Sequence, residues 1–229
     1  MQVHSRLTVA DLLALRGVRT LSMLRTETNE AAAQAAGIDL ISIEIEQLES
    51  GDAVYCAARI QTVRRFAEEG IPVCGHVGLI PSKATWTGGF KAVGKTLDNA
   101  KQIWEGIVAL QDAGAFAAEI EVVPEAIAQA VKQRSSLLLL GMGAGSGAHA
   151  QYLFSEDVLG ANTGHVPRHA KIYDNFAAKL AQLQQERIAV YKHFAADVLQ
   201  GVYPAPAHKV AVQDEVAQAF EDWLAHNAT

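Results

Sequence analysis

The chain has 229 residues, half of them hydrophobic and 19% charged, and carries a net charge of −6 from 25 acidic and 19 basic side chains. That is the composition of a globular protein of one large or two small domains, and its acidic balance argues against a nucleic-acid or anionic-membrane partner. No apolar run reaches the ~18 residues of a transmembrane helix, the first residues lack a signal-peptide pattern, and Cys56 and Cys74 are too few for a disulfide framework, so a cytoplasmic location is expected.

The pattern predicts a first helix over 9–15, with Thr8 as its N-cap and Gly17 as its stop. A strand over 19–24 follows, then an alanine-rich helix over 28–36 ended by Gly37. Residues 38–46 alternate as a strand should. Leu40, Ser42, Glu44 and Glu46 share one face, and Ile41, Ile43 and Ile45 share the other. The apolar face should pack on helices, while the opposite face carries two acids toward a mouth or forms a solvated edge. After Gly51-Asp52, residues 53–69 read as one helix, closed by Gly70.

A short apolar strand over 71–74 then runs into Gly75-His76 and a loop rich in Gly, Ser, Thr and Pro. Strand, polar loop and helix in that order is how α/β enzymes build sites at strand C-termini. Cys74 in this strand reads as a packed thiol. A helix is predicted over 98–113, a strand over 115–123, a helix over 124–133 with its proline near N1, and an apolar strand over 137–140. A short helix and a weak strand near Val158 come next, then a loop over 164–170. A long helix over 174–200, a linker over 201–206 and an amphipathic helix over 214–226 complete the chain. Val216, Phe220, Trp223 and Leu224 lie on one side of that last helix, to pack on a neighbouring subunit or on its own domain. The strand–helix repeat argues a parallel sheet with right-handed crossovers.

Three motifs bear on chemistry. The glycines of 141–147 lack the Lys-Ser/Thr pair of a Walker loop and sit far from a first βα unit, so they read as backbone that lets a ligand approach, or as a tight turn. His165 and His169 stand four apart, but Pro167 spoils the helix a zinc pair would want. Glu119 and Glu121 put two carboxylates on one face of a buried strand, where acids are costly unless paired, metal-bound or protonated. Glu121, nearer the strand's end, is a candidate general base; a salt bridge to a neighbouring strand is the alternative.

Taken in order, these segments resemble the ketopantoate hydroxymethyltransferase family of the phosphoenolpyruvate mutase/isocitrate lyase superfamily. The resemblance rests on VCGHVGLIP at 73–81, GGFKAVG at 88–94, ALQDAGAFAAEIEVVPEAIA at 109–128, LLGMGAGSGAHAQYLFSEDVLG with NTGHVPRHAK up to Lys171, and GVYP at 201–204. It implies a (β/α) TIM-barrel-like enzyme that removes a proton beside the ketone of a 2-oxo acid and lets the enolate attack a one-carbon unit. Methylenetetrahydrofolate would be the donor and Mg²⁺ the Lewis acid. By motif position it implies Glu121 as the base and His76 as a substrate-side histidine.

The N-terminal half departs from that pattern. About six strands are expected where the family has eight, so at roughly 30 residues per βα unit about two units are missing. The strand over 38–46 matches either the family's second or its fourth strand. In the second case neither Glu44 nor Glu46 is the expected aspartate; in the fourth, Ser42-Ile43-Glu44 replaces a Lys-x-Glu pair. Ala148-His149 also stands where the family has Asp-Gly. The expectation is therefore a shortened barrel over 1–204 with a linker and helix over 205–229. Glu44 and Glu46 would serve the metal, and Ser42, Gly143 and Gly145 the substrate. A homo-oligomer would cover the open strand edges. The alternatives are a diverged aldolase or lyase on another 2-oxo acid, a non-catalytic small-molecule-binding descendant, and a nucleotide binder through 141–147.

Overall fold

The computed structural model describes residues 7–26, 30–43, 52–57, 59–83 and 89–227. Residues Met1–Phe176 make one compact unit and Ala177–Thr229 a second.

In the first unit, α1 (Val9–Leu15) starts on a reciprocal cap: the Thr8 hydroxyl accepts from the Asp11 amide, and the Asp11 carboxylate accepts from the Thr8 amide. Then come β1 (Leu21–Arg25), α2 (Glu30–Ala35), β2 (Leu40–Ser42), β3 (Val54–Tyr55), α3 (Ile60–Glu68) and β4 (Val73–Gly78). They are followed by α4 (Leu97–Asp112), β5 (Ala117–Glu121), α5 (Glu125–Lys132), β6 (Leu138–Met142), β7 (Ala150–Phe154) and α6 (Ser155–Leu159).

The strands form one parallel sheet in the order β2-β1-β7-β6-β5-β4-β3. Read as a ring, every strand lies beside its neighbour in the chain and the last lies beside the first. Among the described strands the one missing adjacency is β2 to β3. That is the order of a (β/α) barrel opened at a single place, an open half-barrel of TIM-barrel type. The opening follows Ser42, where the predicted strand continued through Glu44 and Glu46; both glutamates lie outside the described residues.

Two predicted elements are corrected. The segment 53–69 is not one helix. Val54 pairs with Val73 and Tyr55 with Cys74, so the sheet edge captures two residues suited to a strand, and the helix begins only at Ile60. This is the seventh strand, one more than the six expected. Val158 is helical, not extended. The strand precedes it at Ala150–Phe154, held between β1 and β6, and the acids Glu156 and Asp157 occupy the first turn of α6.

One face of the sheet is covered by helices. Val63 of α3, Ile103, Ile107 and Leu110 of α4, and Val131 of α5 pack against Val73, Val77, Ile120 and Leu139. Gly75 makes room for this layer, since a Cβ there would lie 2.3 Å from Leu110 Cδ2. On the other face Leu12 of α1 packs with Leu21, Cys74, Ala117, Leu138, Leu140 and Ala150. Toward the strand C-termini that second face turns polar.

In the second unit, α7 (Phe176–Leu199) and α8 (Asp214–Asn227) flank a single helical turn at Pro206–His208. Neither helix buries a side chain: Phe194 and Val198 of α7, and Val216, Phe220, Trp223 and Leu224 of α8, are exposed. Phe194 packs edge-on against Tyr203, which packs against His208. No helix of the described residues is long and apolar enough to cross a membrane.

Candidate active site at the strand C-termini

Register assembles the site. His76 of β4 lies opposite Glu119 of β5, Gly78 lies opposite Glu121, and Tyr55 of β3 lies opposite Cys74. Because side chains alternate with period two, Tyr55, Cys74, His76, Glu119 and Glu121 all fall on the face that α1 covers lower down. His76, Glu119 and Glu121 are buried. One ligand atom from each of the three can be chosen so that all lie within 4.8 Å of one another, and among the described residues this is the group able to hold a metal ion.

The hydrogen bonds are ordered. Tyr55 Oη bonds His76 Nδ1, and the Glu119 carboxyl acts on the same phenol and raises its pKa. His76 Nε2 stands 3.2 Å from Glu121 Oε2, with the imidazole side chain only 2% exposed. Despite that distance the two are misaligned, and Nε2 makes no hydrogen bond to any described residue. Burial pushes the Glu119 carboxyl above the usual carboxylate range, the charge of Glu121 adds to this, and His76, Tyr55 and Arg25 oppose it. Burial also raises the Tyr55 phenol and the Cys74 thiol, so Cys74 stays a protonated, packed thiol as expected.

Other groups border the cluster. Arg25 of β1 lies over the Phe154 ring at 5.1 Å. Ser42 of β2 acts on the Tyr152 phenol of β7, lowering its pKa against the larger effect of burial. Gly143, just past β6, lies against His169: a Cβ there would be 2.9 Å from His169 Nδ1. Burial lowers the His169 pKa, against the pull of Glu121 and Asp157. Gly145 instead fits against Glu125 of α5, whose Oε1 accepts from the Ser146 amide at 2.8 Å. A pocket of about 360 Å³ beside β3 is lined by His76, Cys56, Arg59, Ile60 and Leu110, among others; it reaches the histidine but not the two glutamates. Val122, immediately after Glu121, has φ +49°, a strained value for a β-branched residue. This turn lets Pro124 cap α5 directly after the strand.

The structure thus brings His76 and Glu121 together and places Ser42 on the same face, across the sheet beside Arg25 and Tyr152. Gly143 borders the site through His169, while Gly145 faces α5. The substrate roles expected of Ser42 and the two glycines remain proposals. Sequence reasoning gave Glu119 no role of its own, although its alternation with Glu121 was visible. It missed Tyr55 altogether, because that residue was read as helical.

The ketopantoate hydroxymethyltransferase family model matches residues 15–206. A 3-methyl-2-oxobutanoate hydroxymethyltransferase of Heliobacterium modesticaldum is 39% identical over 155 residues, 68% of this chain and 54% of its own length. One of Shewanella amazonensis is 35% identical over 184 residues, 80% of this chain and 63% of its own. The chain therefore spans less than two thirds of the length of these relatives. Among solved structures, a phosphoenolpyruvate phosphomutase from Streptomyces platensis subsp. rosaceus aligns over 97% of this chain and 100% of its own, with 14% identity and a TM-score of 0.31.

Proposed function

The chain belongs to the ketopantoate hydroxymethyltransferase family, and we propose that it forms the enolate of a 2-oxo acid and adds a one-carbon unit to it. The substrate in this reading is 3-methyl-2-oxobutanoate and the donor methylenetetrahydrofolate. The observation that carries the reading is the convergence of His76, Glu119 and Glu121, buried on adjacent strand ends inside the family-matched segment.

The described residues suit a divalent cation, because His76 Nε2 is a buried nitrogen with no hydrogen bond to any of them and lies near two carboxylates. His76, Glu119 and one oxygen of Glu121 would hold it, with Glu44 and Glu46 as further oxygen ligands in the expected Mg²⁺ role. When bound, such an ion stabilises the negative charge of the enolate oxygen. The second oxygen of Glu121 is the base that takes the proton from C3. Ser42 and Gly143 complete the contacts on the opposite side. The buried apolar floor beneath, Leu138, Leu140 and Ala150, keeps water from the carbanion.

The test is exchange of the C3 proton of 3-methyl-2-oxobutanoate in deuterium oxide with divalent metal added. Exchange is expected from the parent chain and a loss of about a hundredfold or more from Glu121→Gln. Undiminished exchange in that variant would remove Glu121 from its role. A second reading, a binding protein that has lost the reaction, is favoured by the missing pairing between the described strands β2 and β3. Substrate binding without any exchange would select it. The exposed apolar residues of α7 and α8 support a homo-oligomer; sedimentation as a monomer would refute that.

A further inference from the structure

We propose that the cleft between the end of α1, the last turn of α5 and the loop before β7 binds a phosphate dianion, free or as an ester, through Arg16, Lys132 and His149. The site lies at the strand N-termini, the opposite end of the sheet from Glu121, and does not rest on the activity proposed above.

The fold brings these groups together from three segments. Arg16 and Gly17 follow α1, Lys132 closes α5, and His149 directly precedes β7. With Gln129, Gln133 and Ser146 they line a cavity of about 430 Å³, large enough for a small ligand. Ala148-His149 is also where the sequence departs from the family's Asp-Gly, so the resemblance does not supply the site.

The tautomer of His149 is set by the backbone. The Leu139 amide can only donate, and His149 Nδ1 accepts from it at 2.9 Å. The proton of the neutral ring is therefore on Nε2. Among the described residues that N–H has no acceptor, although the residue is only 4% exposed. A buried donor left unpaired is costly, and an anion in the cavity would satisfy it. Burial lowers the pKa of His149 to about 4, and Lys132 and Arg16 act in the same direction, so the ring stays a neutral donor in a positive field.

Two cations supply that field. Lys132 Nζ donates to the Ala148 carbonyl at 2.8 Å, and Arg16 Nη1 donates to the Ser136 carbonyl just before β6. These bonds hold the two side chains in place but leave their charges uncompensated: neither has an acidic partner among the described residues, and each keeps further N–H groups to donate. No acid lines the cavity. The nearby Glu125 carboxylate is taken up by the amide and hydroxyl of Ser146. Two cations and a neutral N–H match the two charges and several oxygens of a phosphate, whereas a carboxylate offers one charge and fewer acceptors.

The experiment uses the full chain with ¹⁵N-labelled histidine, in a buffer free of phosphate and sulfate. Calorimetry with inorganic phosphate, glycerol phosphate and acetate reports affinity, and long-range ¹H–¹⁵N spectra report His149. Expected are one phosphate per chain, bound at least about tenfold more tightly than acetate, and a shift of the His149 Nε2–H signal on binding. Tighter binding of glycerol phosphate would identify the ligand as an ester, and equal binding as free phosphate. Lys132→Gln and Arg16→Gln should each weaken phosphate about tenfold or more, while His76→Gln should bind it as the parent does. Acetate binding as tightly as phosphate, an unmoved His149 signal, unchanged affinity in both cation variants, or loss of binding in His76→Gln would each overturn the proposal. Should one cation variant not fold, the other and the His149 signal still decide. No 2-oxo acid is used, so failure of the hydroxymethyl reading leaves these outcomes untouched.

Discussion

Gly78 ends β4 directly opposite Glu121, and an alanine there should damage both stability and site. Its φ is +91°, so a side chain costs about 1–2 kcal/mol in backbone strain alone. The added methyl would also lie 2.3 Å from the Glu121 carbonyl oxygen and 2.8 Å from Val123 Cγ2. A relaxed carbon–oxygen contact needs about 1 Å more than that. Overpacking of this kind costs typically ~1–3 kcal/mol, giving an expected destabilisation near 3 kcal/mol for Gly78→Ala. The carbonyl in the way also accepts the Leu79 amide at 2.9 Å, so the displacement passes into the backbone that carries the Glu121 carboxylate. Urea unfolding reads the stability, and the deuterium-exchange rate, expected to fall about a hundredfold, reads the misplacement. Gly17→Ala separates the two terms: its φ is +80°, but no described atom lies within 4 Å of the new methyl, so only the strain is paid. The reasoning fails if Gly78→Ala is no less stable than Gly17→Ala, or if exchange survives at the parent rate.

Ile107→Ala should cost ~2–5 kcal/mol in urea unfolding, because Ile107 is fully buried between α4 and the sheet. His149 gives a pH signature. Burial, with Lys132 and Arg16 nearby, lowers its pKa to about 4, and its Nδ1 accepts the Leu139 amide at 2.9 Å. The unfolded chain, titrating near 6.5, takes the proton first as pH falls. The stabilisation is therefore complete above pH 6.5 and lost progressively toward pH 4. Allowing for partial solvent screening, this amounts to about 1–2 kcal/mol. His149→Gln, whose side-chain carbonyl can still accept from Leu139, should flatten that acid-side slope in thermal melts; an unchanged slope would place its cause elsewhere.

The glutamate strand and the histidine strand were legible because each has a local signature: alternation in Ala117–Glu121, and an apolar run ending in Gly75-His76. Their meeting was not, since a sequence does not state that β4 pairs with β5 in the register His76 to Glu119. Tyr55 escaped because a two-residue edge strand has no period to detect. Its conformation is set by hydrogen bonds to β4, such as that from the Val54 amide to the Pro72 carbonyl. The strand at Ala150–Phe154 was hidden by the same effect, with pairing on both sides overriding a weak local pattern. Apolar spacing did locate α7 and α8, but spacing alone says nothing about what those helices touch.

A ring of strands interrupted at one place has a practical property. The six existing pairings run without a break from β2 through β1 and β7 to β3, so each described strand other than the two at the opening keeps both neighbours. A barrel lacking units at that point would lose its closure and nothing else in its order. Equally, a graft of two βα units joined between residues 43 and 52 would meet β2 and β3 alone and would leave every present register intact. The place between the described strands β2 and β3 is thus where a segment from a longer relative could be spliced, or offered as a separate peptide, to ask which functions return with it.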